Sequence, residues 1–478
     1  MKKPIGLFVL ALSLLFAEIE SYANWSAPVY IDSVSFSPFL PQVAARNDSI
    51  FVLYSDYGFD SGNNKFVRSV DGGNTWTNRF VLPHGEAPEY ANFKIAGDTL
   101  VIFYTFEQFP YTHHFTFSTN FGESWGYIRN VIYPFWVYEE SFDYAGPIAT
   151  MCGAALTPDG NNYSIVLKES NDFGESWPDS DVVFTYGGTS AIPCFYYFYG
   201  LPFIITAGYL DYFGRSRMQL FEKISPDSSW LIYGPFGPAG DEPEQNMDAS
   251  SDGHMAFVFQ DLNSWLYDRS HIFISTSSDY GHTWSDLSDI SVANFNFRPR
   301  IAVSYDTIAI LFDAITDTVT NSSTLLLKKS YDFGLSWQPT EFIADSARTG
   351  DIQIDNGELH IIYEKYALNH LNLFYRRWQP ESQGIEEAQK AKDLFLLSNY
   401  PNPFNAATLI SYRLDKPGPV NLAIYDILGR KIETLIDSEE EAGYHEIIWD
   451  AGEFSSGLYF YKITAGGYSN IKKMLLVK

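Results

Sequence analysis

The octapeptide Ser277-Ser278-Asp279-Tyr280-Gly281-His282-Thr283-Trp284 recurs through the chain, and that recurrence constrains the fold more than any other feature. Its form is S-x-D-x-G-x-T/S-W. Further copies occupy residues 69–76, 118–125 (with Asn120 in the Asp slot), 170–177 and 330–337. Each copy separates two short apolar runs, which reads as a turn between strands. A carboxylate in this position accepts hydrogen bonds from turn N–H groups. Glycine supplies a backbone angle that a side chain forbids. Tryptophan is placed to tuck under the turn and bury a large apolar surface. The residues with this structural role are Asp71, Trp76, Asn120, Trp125, Asp172, Trp177, Asp279, Trp284, Asp332 and Trp337.

Trp76, Trp125, Trp177, Trp284 and Trp337 stand 49, 52, 107 and 53 residues apart. Trp230 divides the long interval into 53 and 54, behind a degraded copy, Ser225-Pro226-Asp227-Ser228-Ser229. Trp25 lies 51 residues before Trp76. A period of ~50 residues is the mark of a repeat architecture. Seven apolar segments enter these turns, at 65–68, 114–117, 163–168, 216–222, 271–276, 324–329 and 371–377. The last has no turn after it. Its missing neighbour is expected from 25–31, so that the first and last segments share one blade and close a ring. Two more strands precede each entering segment, as 93–96 and 99–104 do around the turn Gly97-Asp98. The pattern predicts an all-β chain whose residues 24–378 form a seven-bladed β-propeller of four-stranded blades. Six blades is the alternative, because the copy before Trp230 is degraded.

The octapeptide resembles the Asp-box, or BNR repeat, of sialidases and other β-propeller proteins. That resemblance implies a fold-stabilising turn remote from the active site, and the six blades of sialidases support the alternative count. Beyond the repeats, 379–392 is rich in Glu, Gln, Lys and Ala and reads as a linker. Short alternating segments then fill 393–478 and predict a small Ig-like β-sandwich. Tyr400-Pro401-Asn402-Pro403-Phe404 opens it, and Ile424-Tyr425-Asp426 with Gly429-Arg430 forms a hairpin. Ser456-Gly457-Leu458-Tyr459 with Tyr461-Lys462 forms a strand before a basic end. These motifs resemble the type A C-terminal sorting domain of the bacterial type IX secretion system. The resemblance implies that the type IX machinery is a partner. It also implies secretion, or display on the outer-membrane cell surface, in a Gram-negative bacterium.

The amino terminus agrees with export. Lys2 and Lys3 precede an apolar run at 5–16 and the small-residue site Ser21-Tyr22-Ala23, so 1–23 reads as a signal peptide. That run is short for a bilayer, and no span is expected in the mature chain. A net charge of −27 excludes nucleic acid and anionic lipid as partners. Cys152 and Cys194 are the only cysteines, both read as lying near the start of an innermost strand. They either bridge, which export permits, or stay as buried thiols.

Prolines 41, 88, 147, 193, 243 and 299 recur at the expected entry to the innermost strand, where no ladder donor is needed. Residues beside them are expected to converge at one mouth of the central channel. They include Gln42, Glu86, Glu89, Asp241, Glu242, Glu244, Arg298 and Arg300, with Arg348 and Asp351 in the last repeat. A sialidase needs an arginine triad, a Tyr–Glu pair and an acidic Asp. Its first arginine belongs where this chain has Phe39-Leu40-Pro41, so that motif is missing. Other glycosidases need two carboxylates flanking a bond, for which Glu89 and Glu244 are the weak catalytic candidates. No zinc-protease, phosphate-loop or serine-hydrolase motif occurs. Neighbouring His113 and His114 point to opposite faces of a strand, and the acidic run 351–355 lacks EF-hand spacing, so no metal or cofactor is expected. Tyr196, Tyr197 and Tyr199 read as blade packing. The chain is therefore expected to bind a glycan or extracellular protein through Gln42, Glu89, Glu244, Arg298, Arg300, Arg348 and Asp351. The alternative is a glycoside hydrolase of sialidase-like fold using paired carboxylates.

Overall fold

A computed structural model describes residues 24–34, 41–57, 62–77, 80–81, 90–96, 99–106, 112–120, 122–132, 137–145, 148–156, 163–170, 176–177, 181–186, 194–198, 201–210, 216–223, 230–238, 245–250, 253–262, 270–279, 281–293, 295–317, 322–367, 370–380, 394–400, 404–414, 417–426, 429–441, 443–465 and 468–477. The expected signal peptide and most of the expected linker lie outside them. Among the described residues the regular structure is all β-strand, in two compact units, 1–380 and 381–478.

In the first unit, antiparallel four-stranded groups follow one another at 42–81, 90–132, 137–186, 194–238, 245–289 and 295–345. A seventh combines the three strands of 347–378 with Val29–Val34 as its fourth. The fifth and sixth groups are continuous through a parallel pairing of Ser270 with Phe295. The first strand of each group packs against the first strands on either side, and that of the seventh packs against that of the first. These contacts close a ring, and the first strands form its hub. The unit is a β-propeller.

Closure is built from the two ends of the repeat region. Val29–Val34 pairs antiparallel with His370–Trp378, and Trp25 bridges to Trp378. Trp25 is buried, and its Nε1 donates to Glu341 Oε2 at 2.9 Å. The Arg376 guanidinium lies 5.1 Å from the Trp25 ring and also donates to the Ser26 carbonyl. Buried Asp32 of the closing strand accepts the Tyr54 hydroxyl at 2.8 Å, which ties it to the first group.

The octapeptide turns share one hydrogen-bond pattern. Ser277 Oγ donates to Asp279 Oδ1 and accepts the Gly281 N–H, while Asp279 accepts both the N–H and the hydroxyl of Thr283. The turns at 69–76 and 330–337 repeat these contacts. Hydrogen bonds from Thr75 hold the Asp71 carboxyl down at about 2. In the Asn120 copy the amide nitrogen donates to Ser124 Oγ, so the donor direction reverses. Asp172 lies outside the described residues.

The tryptophans do more than tuck under their own turns. Trp76 packs edge-on to Tyr375 at 5.2 Å, Trp125 to Phe66 at 5.1 Å and Trp177 to Phe115 at 5.7 Å. In each case the partner sits on the third strand of the preceding group. The turn is thus a joint between groups. Trp284 differs, meeting Phe257 of its own group at 5.0 Å.

Two positional expectations are corrected. The first strand Val137–Ala145 ends before position 147, and Pro299 lies inside Phe295–Ser304, so neither proline precedes an innermost strand. Cys152 is buried within the second strand Ile148–Leu156 rather than at the start of an innermost one. The Cys194 side chain lies outside the described residues, as do those of Tyr196, Tyr197 and Tyr199. His114 is buried and stacked on Tyr104.

The second unit has a three-stranded sheet (394–400, 407–414, 443–450) and a four-stranded sheet (431–440, 418–426, 457–465, 468–476). Their inner faces share one core around Trp449, Tyr412, Tyr461, Leu422 and Phe404. The Asp426 hairpin closes as its sequence implies. Gly429 has φ of 74°, and its N–H donates to the Asp426 carbonyl at 2.9 Å.

Candidate functional site

First strands of neighbouring groups run parallel, so their starts share one end of the ring. Because strands alternate direction within a group, the octapeptide turns lie at the opposite end. The hub itself poses an edge problem: each first strand presents N–H groups with no ladder partner on the edge that faces the centre of the ring. Polar side chains of the preceding group answer it. Asn246, Asp248 and Ser250 accept the N–H groups of Ile301, Val303 and Tyr305 at 2.9, 2.7 and 2.8 Å. Asp351, Gln353 and Asp355 accept those of Val43, Ala45 and Asn47. Gln42 accepts that of Phe93 at 2.9 Å.

Two sequence-expected ligand groups, Gln42 and Asp351, are therefore engaged in joining the groups. Glu89 and Glu244 lie outside the described residues, as do Glu86, Asp241 and Glu242. The three arginines do come to the strand-start end. Phe295–Ser304 and Ala347–Asp355 each carry a bulge there, between Phe297 and Arg300 and between Thr349 and Asp351. Arg298 sits in the first bulge with φ of 49°. Its guanidinium grips both oxygens of buried Asp313, at 3.1 and 2.6 Å, and Ser323 Oγ donates to the same carboxylate. Arg300 lies just past the bulge, with a nitrogen donating to the Pro299 carbonyl. Arg348 is exposed and is the cross-strand partner of Glu364.

Glu364 is the residue that sequence reasoning missed. Its side chain is 3% exposed, and Oε1 has no hydrogen-bond partner among the described residues. Burial pushes its carboxyl up to about 7, against the pull of Arg348 and Arg298 and with a push from Asp313. Asp313, Glu364, Arg298 and Arg348 thus form one cluster across the sixth and seventh groups. Deeper in the hub, burial lifts Asp248, Asp351 and Asp355 to about 6. Lys94 of the second group opposes that rise at Asp248 and Asp351, and Arg300 does so at Asp351. Charges from separate groups therefore face one another across the channel.

These carboxyls bind protons more readily in the folded than in the unfolded chain. Propeller stability should therefore fall as pH rises from about 4 to 7, by on the order of a few kcal/mol in total. Asp71 acts in the other direction: its lowered value removes stability as pH falls from 3.8 towards 2. The melting temperature should therefore be highest near pH 4–5 and lower at pH 8. A melting temperature that rises steadily to pH 8 would contradict these protonation states.

Residues 398–478 match the family model described as "Secretion system C-terminal sorting domain". No curated protein matches the chain. Among solved structures, an ulvan lyase of polysaccharide lyase family PL25 is similar with a TM-score of 0.53 at 10% identity, over 76% of this chain and 99% of that one. An α-L-arabinofuranosidase from Fusarium graminearum gives 0.47 at 11% identity, over 64% and 98%. The NanB sialidase from Streptococcus pneumoniae gives 0.40 at 12%, over 74% and 70%. At these identities the likeness concerns the fold. No helix among the described residues is long and apolar enough to cross a membrane. The chain is a β-propeller protein with a C-terminal secretion sorting domain, which directs it through the type IX system to the cell surface or the extracellular space.

Proposed function

We propose that the propeller, whose seven four-stranded groups we read as blades, is a recognition module that binds a glycan at the strand-start end of its hub. The observation that carries this reading is exposed Arg348 across the ladder from the buried carboxyl of Glu364, whose Oε1 has no hydrogen-bond partner among the described residues, with the Arg298–Asp313 pair from the neighbouring group. Guanidinium and carboxyl groups fixed on strands form directional hydrogen bonds to sugar hydroxyl and acidic groups. The fold's glycan-active neighbours, a lyase solved with -[GlcA(1-4)Rha3S]- among them, are consistent with such a ligand. Export by the sorting domain places the module where polysaccharides are found.

Purified chain applied to a glycan array should retain a defined class of glycans. Arg348→Ala should weaken that retention by about tenfold or more, the worth of a lost charge-assisted hydrogen bond. No retained glycan, or an unchanged Arg348→Ala protein, would sink the reading. A second reading is glycoside hydrolysis, favoured by the proximity of Glu364 to Asp313. Glu89 and Glu244 remain candidates for it on sequence grounds. Release of reducing ends from the retained glycans would establish this second reading.

A further inference from the structure

Resting on the reading that this end of the hub binds a glycan, we propose that Arg298 selects a neutral sugar, donating from the free edge of its guanidinium to two adjacent hydroxyl oxygens. The place of that guanidinium is fixed before any ligand arrives. Its Nε and Nη2 donate to the two oxygens of Asp313 at 3.1 and 2.6 Å. Ser323 Oγ donates to the same carboxylate at 2.9 Å. From the fifth group, Gln260 Oε1 accepts the Arg298 backbone N–H at 3.1 Å. A guanidinium is flat and carries five N–H groups. Asp313 takes the edge made by Nε and Nη2, so the edge made by Nη1 and Nη2 points away from it. Nη1 donates to nothing among the described residues. The Asp313 side chain is 1% exposed and that of Arg298 27%, so the remaining edge is the one that solvent reaches. Two parallel N–H groups held there match the oxygens of a carboxylate or of two adjacent sugar hydroxyls. Because Asp313 has already ordered the side chain, binding gives up little further freedom.

Charge decides between those two ligands. Each of the three arginines at this end has a carboxyl to match it. Arg298 grips Asp313, Arg348 stands across the ladder from Glu364, and Arg300 acts on Asp351. The guanidinium charges are therefore offset locally, on a chain whose net charge is −27. An incoming anion meets no unmatched positive charge to offset the loss of its hydration. A hydroxyl pair needs only directional donors, which the fixed edge of Arg298 supplies.

Calorimetric titration of the whole chain with matched trisaccharides tests this. The pairs are galactotriose with trigalacturonate, mannotriose with trimannuronate, and cellotriose with its triuronate, so that each differs by the carboxylates alone. At least one neutral member should bind, about tenfold or more tighter than its acidic twin. Its affinity should change less than about twofold between about 50 and 500 mM salt, since no net charge is exchanged. Arg298→Lys keeps a charge beside Asp313 but loses the second parallel donor, and should weaken binding about tenfold. Deoxy counterparts of the bound sugar place the contact. Loss of a hydroxyl that Arg298 holds should cost the parent chain about tenfold and Arg298→Lys less than about twofold, a coupling that a merely structural arginine would not give. Thermal unfolding reports whether Arg298→Lys is folded, and the twin and salt comparisons on the parent chain decide the matter if it is not. An acidic member bound more tightly than its neutral twin, an affinity that falls steeply with salt, or no binding by any neutral member overturns the proposal. Retention of acidic glycans alone on the array would defeat this selectivity and still uphold the glycan reading, so the two failures are distinguishable.

Discussion

Removing residues 24–34 should cost the propeller its cooperative unfolding at the parental temperature. A chain starting at Ser35 lacks the fourth strand of the seventh group, so His370–Trp378 becomes an open edge. Trp25 no longer covers the core it shares with Ile343 and Trp378, a burial worth about 2–3 kcal/mol. Glu341 loses the Trp25 donor and Arg376 loses the Ser26 carbonyl. Asp32 no longer accepts from Tyr54. Stripping partners from buried polar and charged groups adds about 3–5 kcal/mol. The sum is comparable to the whole stability of an ordinary domain. Denaturant unfolding should show an early, broad transition. A synthetic peptide of residues 24–34 added in trans should restore the parental midpoint by strand addition. A truncated chain that unfolds at the parental midpoint without the peptide would refute this account of closure.

Gly73→Ala is expected to be the most damaging conservative substitution among the described turns. Gly73 has φ of 87°, and a Cβ there would lie 2.2 Å from Cε1 of Tyr375. The tyrosine cannot swing aside. It is 1% exposed, its hydroxyl is within hydrogen-bonding distance of His360 Nδ1 at 2.8 Å, and its ring packs on Trp76. Backbone strain and overpacking together should cost about 3–5 kcal/mol. Gly334→Ala is the control. Its φ of 86° is nearly the same, but its nearest atom is 3.7 Å away. That variant should lose only about 1 kcal/mol, from the backbone angle. Equal losses at the two positions would mean that the contact between groups contributes little.

The repeat was legible because one short segment must do several things at once. A turn needing Ser, Asp, Gly and Thr at fixed offsets, with Trp behind it, leaves little room for substitution. Its period therefore survives in the sequence, and Trp25 is found by counting back from Trp76. The same counting could not show that Trp76 packs on Tyr375, about 300 residues later, because that contact exists only once the ring closes. The hub was half legible. Asn246-x-Asp248-x-Ser250 and Asp351-x-Gln353-x-Asp355 put polar groups on alternate positions of inner strands, and each set bonds to the next group's backbone. From sequence alone, polar residues converging on a hub look like ligand groups, as Asp351 and Gln42 do. Proline entry points located Arg298 and Arg300 but missed Glu364. That residue reaches the site from a second strand, through its register opposite Arg348.

Pairing the substitutions Tyr30→Cys and Phe374→Cys tests ring closure most directly, because these residues are ladder partners whose rings lie 6.0 Å apart. Under mild oxidation, peptide mapping of the monomer should recover one disulfide-linked pair of peptides holding both positions, and unfolding should shift to higher denaturant. Recovery of that link only between separate molecules, or of no link at all, would mean that the first and last strands do not share a sheet.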